Sequence, residues 1–434
     1  MDDVIIIGGG PSGSTLGSYL SMAGIKNSIY EASTHPRPHV GESLVPITNL
    51  VLKEIGLIDS MENEGFVHKH GAAWHPTRRA AAVTVDFRDF PLPGLDQDHT
   101  YHVDRSRFDN LLLRHAESLG TEVHENAPVR KVLFNNGRAV GVHVRLGDRD
   151  VDRPANIVVD ASGRSTLLGR QMKWKENDPL FDQFCVHSWF TGVDRGDKEL
   201  ENEIHIFFIP VHRGWAWQIP IDDQITSVGI VAERAVFKKS RRDFSGWFHS
   251  LSQSTPNFAN AMRCASRVRE FTVEADYSYA MSKFASDGCL LVGDAARFVD
   301  PIFSSGVSVA LHSARFASKT IRRALSKGDV SASELSDYET RLRKGTQIWY
   351  EFITLYYKLI PLFTRFSTSS KTNRHQLLEL LQGDVFDRED VPVLDAMRCF
   401  IRDVEKTEAH VLEPYLDSEL PPEIDLPSLT LRGK

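Results

Sequence analysis

The sequence is poor in cysteine, and its four cysteines are scattered, with no CxxC pair among them. Without paired cysteines, neither a disulfide framework nor a cysteine-based zinc site is predicted. A reducing cytoplasm is therefore the expected location of the protein. The four residues are Cys185, Cys264, Cys289 and Cys399.

Long apolar runs are also missing. No uncharged apolar stretch reaches the roughly 18 residues that a membrane-spanning helix needs. The first apolar run, from Val4 to Ile7, is too short for a signal peptide and follows no cationic segment. We therefore expect no membrane span and no secretion signal.

Positive charge is not in excess, because 51 Lys and Arg residues face 58 Asp and Glu residues, for a net charge of −7. A dedicated nucleic-acid-binding protein is normally basic, so nucleic acid is not an expected partner. The length of 434 residues suits about two or three domains.

What the sequence does have, at its start, is a strand–turn–helix–strand pattern. The β-branched run Val4 to Ile7 predicts a buried parallel strand, and the glycine-rich turn Gly8-Gly9-Gly10-Pro11-Ser12-Gly13 follows it directly. Gly8, Gly10 and Gly13 match G-x-G-x-x-G, and Glu31 ends the next predicted strand. This context favours a dinucleotide site over a tight turn without a ligand, but it does not distinguish FAD from NAD.

Further along, strands predominate up to the last third of the chain. Residues 121–124 and 130–146 are predicted to form a small antiparallel unit, and residues 76–100 are predicted to be irregular. Residues 203–210, 215–221 and 225–231 predict an antiparallel meander, because short turns separate them.

Two later segments have the pattern of the opening strand, an apolar run that predicts a buried parallel strand. Val158 to Gly163 is a buried strand followed by a polar turn that contains Asp160, and Leu290 to Ala296 contains Gly293 and Asp294. A helix is predicted from Ser305 to Arg323, and the chain then reads as helical to about residue 409. Within this part, residues 349–366 are rich in aromatic residues, which indicates either a core helix or a lid over a pocket.

The order of these segments resembles the two-domain flavoprotein monooxygenases, in which a Gly-Asp segment contacts the FAD ribose. Arg105 stands where that fold carries an arginine that contacts FAD, and no second G-x-G-x-x-G is present. The resemblance therefore implies FAD rather than NAD. It also implies a mixed α/β protein, with a Rossmann-like FAD domain, an antiparallel-sheet substrate domain and C-terminal helices.

The domain bounds follow from the same resemblance. They are a discontinuous FAD-binding domain (1–75, 101–180 and 280–330), a substrate domain (76–100 and 181–279) and a C-terminal helical region (331–434).

Three shorter motifs resemble the flavin-dependent halogenases. They are Gly41-Glu42-Ser43, Lys69-His70-Gly71 and Trp215-Ala216-Trp217-Gln218-Ile219-Pro220, in the order that the family shows. The segments 300–307 and 349–352 look like the branch that acts on a pyrrole held as a thioester on a carrier protein. The resemblance runs nearly end to end, and it is weakest at residues 76–100 and after residue 410.

The resemblance assigns roles to particular residues. Lys69 would be the catalytic lysine, Trp215 and Trp217 would screen the flavin from the substrate, and residues 304–307 would contact the halide. The residues implied in cofactor binding are Gly8, Gly10, Ser12, Gly13, Glu31, Glu42, Ser43, Arg105, Asp160, Gly293 and Asp294. Those implied in halide binding are Ser304, Ser305, Gly306 and Val307.

Each role has an ordinary alternative. Two tryptophans on one face of a strand are usually core residues, and a lone lysine is usually solvated. Ser304 or Ser305 would serve as a plain helix N-cap. His68 and His70 flank Lys69 with no carboxylate in the motif, so we predict packing or hydrogen-bonding roles for them and no metal site.

One difference from the tryptophan halogenases narrows the range of expected substrates. Tryptophan halogenases carry a glutamate beside the serine of the halide region, whereas this chain has Phe303-Ser304-Ser305-Gly306. An electron-rich ring such as pyrrole or phenol needs less help with deprotonation, so these substrates fit better than indole.

The resemblance thus implies an enzyme that installs chlorine or bromine on an aromatic ring. Its cofactor would be FAD, supplied as FADH2 by a separate flavin reductase, with O2 and chloride or bromide as co-substrates. A carrier protein bearing a pyrrolyl thioester is the expected partner. The alternatives are a halogenase of a free phenol or pyrrole, and an FAD-dependent monooxygenase.

Overall fold

The computed structural model describes residues 2–77, 82–275, 278–388 and 390–407. The strands in these ranges are β1 (Asp2–Ile7), β2 (Asn27–Tyr30), β3 (Val67–Lys69), β4 (Gly71–His75), β5 (Val83–Asp86), β6 (Thr100–His102), β7 (Glu122–His124), β8 (Val129–Asn135), β9 (Arg138–Leu146), β10 (Arg149–Asp160), β11 (Lys175–Asn177), β12 (Gln183–Thr191), β13 (Ile204–Phe208), β14 (Trp215–Pro220), β15 (Thr226–Glu233), β16 (Ser266–Arg267), β17 (Thr272–Ala275), β18 (Tyr279–Met281), β19 (Ala285–Ser286), β20 (Cys289–Leu291) and β21 (Arg297–Phe298).

The α-helices in the same ranges are α1 (Pro11–Met22), α2 (Thr48–Glu54), α3 (Ile58–Asn63), α4 (Arg105–Ser118), α5 (Leu167–Gln171), α6 (Arg234–Ser240), α7 (Phe244–Ser252), α8 (Pro256–Met262), α9 (Ser305–Lys327), α10 (Ala332–Leu359), α11 (Phe363–Ser369), α12 (Lys371–Leu381) and α13 (Pro392–Thr407). None of these helices combines the length and the apolar character that crossing a lipid bilayer requires.

The first sheet is built around the opening strand. β1 lies between β10 and β2, parallel to both, and the sheet order is β19-β20-β10-β1-β2-β7. The β-branched residues of β1 are completely buried because helices cover the sheet. The predicted Rossmann-like unit of the mixed α/β fold is therefore confirmed. The antiparallel placement of residues 121–124 is wrong, since β7 pairs parallel to β2, whereas β8 and β9 form an antiparallel hairpin, as predicted for residues 130–146.

The second sheet contains the predicted meander. β13, β14 and β15 are antiparallel neighbours in the order β16-β12-β15-β14-β13-β4-β5, which confirms that prediction. β4 pairs with β13, and β5 pairs with β4, so residues 71–75 lie in this sheet. We therefore propose that the boundary of the substrate domain lies before Gly71 rather than after residue 75. Residues 83–86, predicted to be irregular, are strand β5.

Helix α10 packs against both sheets, since it contacts β19 of the first sheet and its Tyr356 contacts Phe208 of β13 in the second. Trp349, Phe352 and Tyr356 on α10 have no exposed surface. The aromatic segment is therefore part of the core, as the first of its two interpretations predicts. Residues 408–434 of the predicted C-terminal region lie outside the described residues.

A short ribbon between the two large sheets carries Lys69. β3 pairs antiparallel with β6, so that His68 lies opposite Tyr101 and Lys69 opposite Thr100. On the other side of β6, the Leu44 amide donates to the Tyr101 carbonyl at 3.0 Å, and the Val103 amide donates to the Glu42 carbonyl at 2.7 Å. The ribbon therefore joins the Gly41-Glu42-Ser43 segment to the lysine strand.

Candidate active site

A cavity of about 620 Å³ runs from the glycine turn to the second sheet. Most of the predicted site residues lie in its wall. They are Gly8, Gly10, Ser12, Glu31, Glu42, Ser43, Arg105, Trp215, Trp217, Asp294, Ser304, Gly306 and Val307. The other predicted residues lie behind that wall: Gly13, Lys69, Asp160, Gly293 and Ser305.

The glycine turn presents open backbone to the cavity. A Cβ atom on Gly13 would lie 1.9 Å from the Gly8 carbonyl oxygen, so the turn closes this tightly only with glycine. A Cβ atom on Gly10 would meet only the tip of Arg37, at 3.6 Å. No side chain caps the N-terminus of α1, so its free amides and positive dipole end are directed to the cavity.

These features fit the pyrophosphate of a dinucleotide, which a helix N-terminus after a glycine turn binds well. Glu31 lines the same end of the cavity, where its carboxylate accepts hydrogen bonds from the Gly9 amide at 2.7 Å and the Ser33 amide at 2.8 Å. Those bonds fix the orientation of the carboxylate beside the turn. The residues present therefore fit the FAD that the sequence motifs imply.

Asp160 holds the backbone that follows strand β10. Its carboxylate accepts hydrogen bonds from the Ser162 amide at 2.9 Å and the Leu168 amide at 2.7 Å. Burial raises the pKa of this carboxyl, and those bonds oppose the rise. We therefore propose that Asp160 positions the backbone of residues 162–168, and that it does not itself bind the cofactor.

Buried Arg105 and half-buried Asp294 form a charged part of the wall. Burial raises the pKa of Asp294 to about 6, while Arg105 and Arg164 lower it. Arg105 donates from Nε and Nη2 to the two carboxylate oxygens of Asp109, and from Nη1 to the Val40 carbonyl at 2.6 Å. The guanidinium is thereby held against the Gly41-Glu42-Ser43 segment.

Lys69 is buried directly behind that segment. Its ammonium donates to Ser43 Oγ at 3.0 Å and to the Leu44 carbonyl at 2.8 Å. The side chain is 3% exposed. Burial lowers the pKa of Lys69 to about 8, and the charge of Glu203 opposes this shift. The amine is therefore partly neutral near neutral pH and lies one hydrogen bond from the cavity wall.

Glu42 and Ser43 connect the flavin cavity to the buried Lys69. Ser43 contacts Lys69, and both residues line the cavity. Glu42 Oε1 accepts a 2.8 Å hydrogen bond from Trp189 Nε1. Burial raises the pKa of Glu42 to about 6, although the Trp189 and Ser227 hydrogen bonds oppose the rise.

Trp215 and Trp217 face the cavity from β14, with ring centroids 5.9 Å apart. The indole of Trp215 donates to the Tyr357 hydroxyl at 2.9 Å, and that of Trp217 donates to Ser227 Oγ at 3.1 Å. Both rings are therefore fixed by a polar bond as well as by packing. Sequence reasoning missed Ser227, because it belongs to no local motif, and it placed Tyr357 only within the aromatic segment 349–366.

The N-terminus of α9 closes the cavity. Ser304 has φ of +56° and makes no side-chain cap, while Gly306 and Val307 line the wall. The plain side-chain N-cap is thus not formed by Ser304. Ser305 is buried, and its hydroxyl points back to the Asp300 carbonyl at 3.4 Å. The amides at this long helix end remain directed to the cavity.

Comparison with known proteins agrees with this geometry. The family model described as tryptophan halogenase matches residues 3–90 and 88–362. The 1H-pyrrole-2-carbonyl-[peptidyl-carrier protein] chlorinase of Pseudomonas fluorescens is 44% identical, over 96% of this chain and 97% of the relative. The corresponding brominase of Pseudoalteromonas luteoviolacea is 30% identical, over 89% of this chain and 93% of its own.

Solved structures show the same architecture. The flavin-dependent brominase Bmp2 superposes with a TM-score of 0.84 at 26% identity, covering 94% of this chain and 100% of that one. The myxobacterial chondrochloren halogenase CndH superposes with a TM-score of 0.78 at 28% identity, covering 96% and 98%. The chain therefore belongs to the tryptophan halogenase family and is a flavin-dependent halogenase with an FAD cofactor.

Proposed function

We propose that this enzyme halogenates a pyrrole-2-carboxyl group that is held as a thioester on a carrier protein. The similarity to the pyrrolyl-carrier-protein chlorinase over nearly the whole of both chains supports this choice of substrate. The observation that carries the chemistry is the buried Lys69, bonded to Ser43 in the wall of the flavin cavity. When bound, FADH2 would supply two electrons that reduce O2, and the oxygen reduced in this way would oxidise chloride or bromide to the level of hypohalous acid.

The halide is proposed to bind at the N-terminus of α9. An anion is stabilised there by free backbone amides and by the helix dipole, and α9 is 23 residues long. Ser304, Gly306 and Val307 line the cavity at this end, and the tryptophans of β14 line the same cavity. Ser305 would contribute only its amide, because its side chain is turned back to Asp300.

Trp215 and Trp217 are proposed to separate the flavin from the organic substrate. Their rings belong to the part of the cavity wall that the second sheet contributes, and both indole N–H groups already have partners. A fixed apolar wall excludes water, and it keeps the ring to be halogenated away from the flavin. The oxidised halide, which is small, is then the species that reaches the lysine.

Lys69 is proposed to deliver the oxidised halogen to the ring. A buried amine with its pKa lowered to about 8 has a lone pair available in a minor but substantial fraction of molecules near neutral pH, far more than an ordinary lysine does. That lone pair attacks the halogen of hypohalous acid, so that the N–halogen bond forms as the halogen–oxygen bond breaks, and the departing hydroxide takes a proton from the nitrogen to give water and a haloamine. Alternatively, the ammonium donates a hydrogen bond to hypohalous acid. In either case, Ser43 and the Leu44 carbonyl hold the nitrogen in place.

The acidic residues near the proposed halide site also affect which aromatic substrate is favoured. The acid closest in sequence to Ser304 is Asp300, which has no exposed surface and accepts hydrogen bonds from the Ile302 amide and the Tyr357 hydroxyl. Both hydrogen bonds go to Oδ1, so this oxygen of the carboxyl is occupied in supporting the wall. An electron-rich pyrrole needs less help in losing its proton than an indole does, so it suits this site.

A carrier protein and a separate flavin reductase complete the proposed system, in a cytoplasmic setting. The test is intact-mass spectrometry of a pyrrolyl-loaded carrier protein incubated with the enzyme, FAD, NADH, a flavin reductase, O2 and chloride or bromide. Free pyrrole-2-carboxylate is treated in parallel. We expect a halogen isotope pattern on the carrier alone. Halogenation of the free acid alone would replace the tethered substrate with a free one, and oxygen gain without halogen would contradict the halogenating role of Lys69.

A further inference from the structure

The outer face of the ribbon that carries Lys69 holds a cluster of side chains that can ligate metal ions. Glu62 comes from α3, His68 from β3, and His99 directly precedes β6. One ligand atom from each of these residues can be chosen so that all three lie within 4.8 Å of one another. The cluster is separate from the flavin cavity, because none of the three residues lines it.

The distances within the cluster approach those of a metal site. His68 Nε2 lies 3.0 Å from Glu62 Oε2, and His99 Nε2 lies 3.1 Å from Glu62 Oε1. Ligands at about 2.0–2.1 Å from a tetrahedral zinc ion are separated by about 3.4 Å. The two imidazole rings are stacked with centroids 3.7 Å apart, and both direct Nε2 to the same carboxylate.

The surrounding groups orient these ligands in the way that outer groups do in metal sites. Tyr101 donates a 2.6 Å hydrogen bond to Glu62 Oε1. Asp98 Oδ1 lies 3.0 Å from His99 Nδ1, which leaves Nε2 directed to Glu62. A carboxylate on the remote nitrogen of a histidine fixes the ring and raises the basicity of the nitrogen that binds metal.

We propose that Glu62, His68 and His99 bind a divalent first-row transition-metal ion, for which Zn²⁺ is the natural probe. Two imidazoles and one carboxylate suit such an ion, and water would fill the remaining position. The side chains of Glu62 and His68 are 39% and 41% exposed, so the ion enters directly from solvent. This proposal replaces the expectation that His68 only packs and that the chain has no metal site.

The ion would hold together three elements around Lys69. His68 and Lys69 are consecutive on β3 and point to opposite faces of the ribbon. A metal bound by His68 and His99 therefore joins β3 to the start of β6, and Glu62 ties both to α3. These three residues are positioning residues, since they face away from the cavity and do not contact Lys69.

A neighbouring set offers a second arrangement. His70, Asp98 and His99 also bring ligand atoms within 4.8 Å of one another. This set would use Asp98 as a ligand, although its side chain is 67% exposed and already lies beside His99 Nδ1. Because the two sets share only His99, substitutions at His68 and His70 distinguish them.

The test is isothermal titration of the metal-stripped, full-length protein with ZnCl2, together with hydrogen exchange of the amides in β3 and β6. We expect about one Zn²⁺ per chain and slower exchange in both strands when zinc is bound. Glu62→Gln, His68→Ala and His99→Ala should each weaken zinc binding by about 10- to 100-fold. The control is His143→Ala, because His143 also pairs with an acid, Asp152, but lies on β9 far along the chain.

Two results would overturn the proposal. One is zinc binding by the His68→Ala and His99→Ala proteins that equals that of the parent, which would show adventitious binding only. The other is loss of binding in His70→Ala with full binding in His68→Ala, which would assign the ion to the other set. Glu62→Gln keeps the shape of the side chain, so it tests the site even if a histidine variant fails to fold.

Discussion

Trp217 packs its indole against Gly229 on the neighbouring strand β15, where a Cβ atom would lie only 2.2 Å from Trp217 Cζ2. Because Gly229 has no side chain, it leaves the space that the ring of Trp217 occupies. No local motif marks this glycine, but it fixes the position of a wall residue in the flavin cavity.

Gly229→Ala should displace the Trp217 ring and weaken the screen between flavin and substrate. We expect a loss of about 1–3 kcal/mol in the free energy of unfolding, which is typical of overpacking a core, and a larger share of NADH oxidation without halogenation. Urea unfolding and product per NADH consumed measure the two effects. In a Trp217→Phe background the penalty of Gly229→Ala should be mostly absent, since the clashing atoms are gone. An equal penalty in both backgrounds would show that the ring is not the cause.

Lys69→Met should abolish halogen transfer while leaving the flavin cavity intact. The lysine lies behind the cavity wall, and methionine replaces a buried chain of similar length with an uncharged one. We expect halogenation to fall by at least about 100-fold, the lower range for losing a positioned acid–base group, with FAD affinity within twofold of the parent. Single-turnover product analysis and flavin titration check this. A parent-like halogenation rate would remove Lys69 from the mechanism.

The rate of halogen transfer should rise with pH if the neutral amine accepts the halogen. The pKa of Lys69 is lowered to about 8, so the neutral fraction grows up to that pH and levels off above it. Single-turnover rates between pH 6 and 10 should therefore rise and then reach a plateau about one unit above pH 8. A rate that falls over this range would indicate that the ammonium form acts instead, as a hydrogen-bond donor to hypohalous acid.

The same shift predicts how stability depends on pH. Between the folded pKa of about 8 and the ordinary lysine value, the unfolded chain binds more protons at Lys69 than the folded chain does. The free energy of unfolding of the parent relative to Lys69→Met should therefore rise with pH across this window, by about 3 kcal/mol. Below pH 8 both states are protonated at this residue, and the difference should be constant. Urea unfolding of both proteins at several pH values measures it.

Tyr357→Phe should remove the hydrogen bond that fixes the indole of Trp215. The hydroxyl accepts the Trp215 indole N–H at 2.9 Å and donates to Asp300 Oδ1 at 3.1 Å, so its removal leaves two buried polar groups without that partner. We expect a destabilisation of about 1–3 kcal/mol and a lower halogenation yield. Tyr350→Phe, on the same helix, is the control, because that hydroxyl is half-buried and lies 3.5 Å from Asp178. Equal effects of the two changes would contradict the role of Tyr357.

The glycine turn, the parallel strands and the meander could be predicted because each depends on local patterns of side chains and turns. The placement of β4 and β7 could not, since strand pairing over long distances leaves no local signal: β7 reads as an isolated short strand, but it pairs with β2, far away in the sequence. Likewise, the partners of Trp215, Trp217 and Lys69 come from segments that only the fold brings together. Sequence motifs therefore identified residues that line or adjoin the cavity. The residues that fix the tryptophan side chains by hydrogen bonds belong to no motif and were not identified as site residues.

Glu42 and Ser43, finally, are adjacent along the chain, and their Cα atoms are therefore about 3.8 Å apart. Both residues line the flavin cavity, and Ser43 also accepts a hydrogen bond from Lys69. The offset along the chain between Glu42 in the cavity wall and the residue that contacts Lys69 is thus set by covalent geometry. Looser packing nearby would change this offset little. A designer who lengthens or shortens other loops keeps this offset, while one residue inserted between these two would lose it.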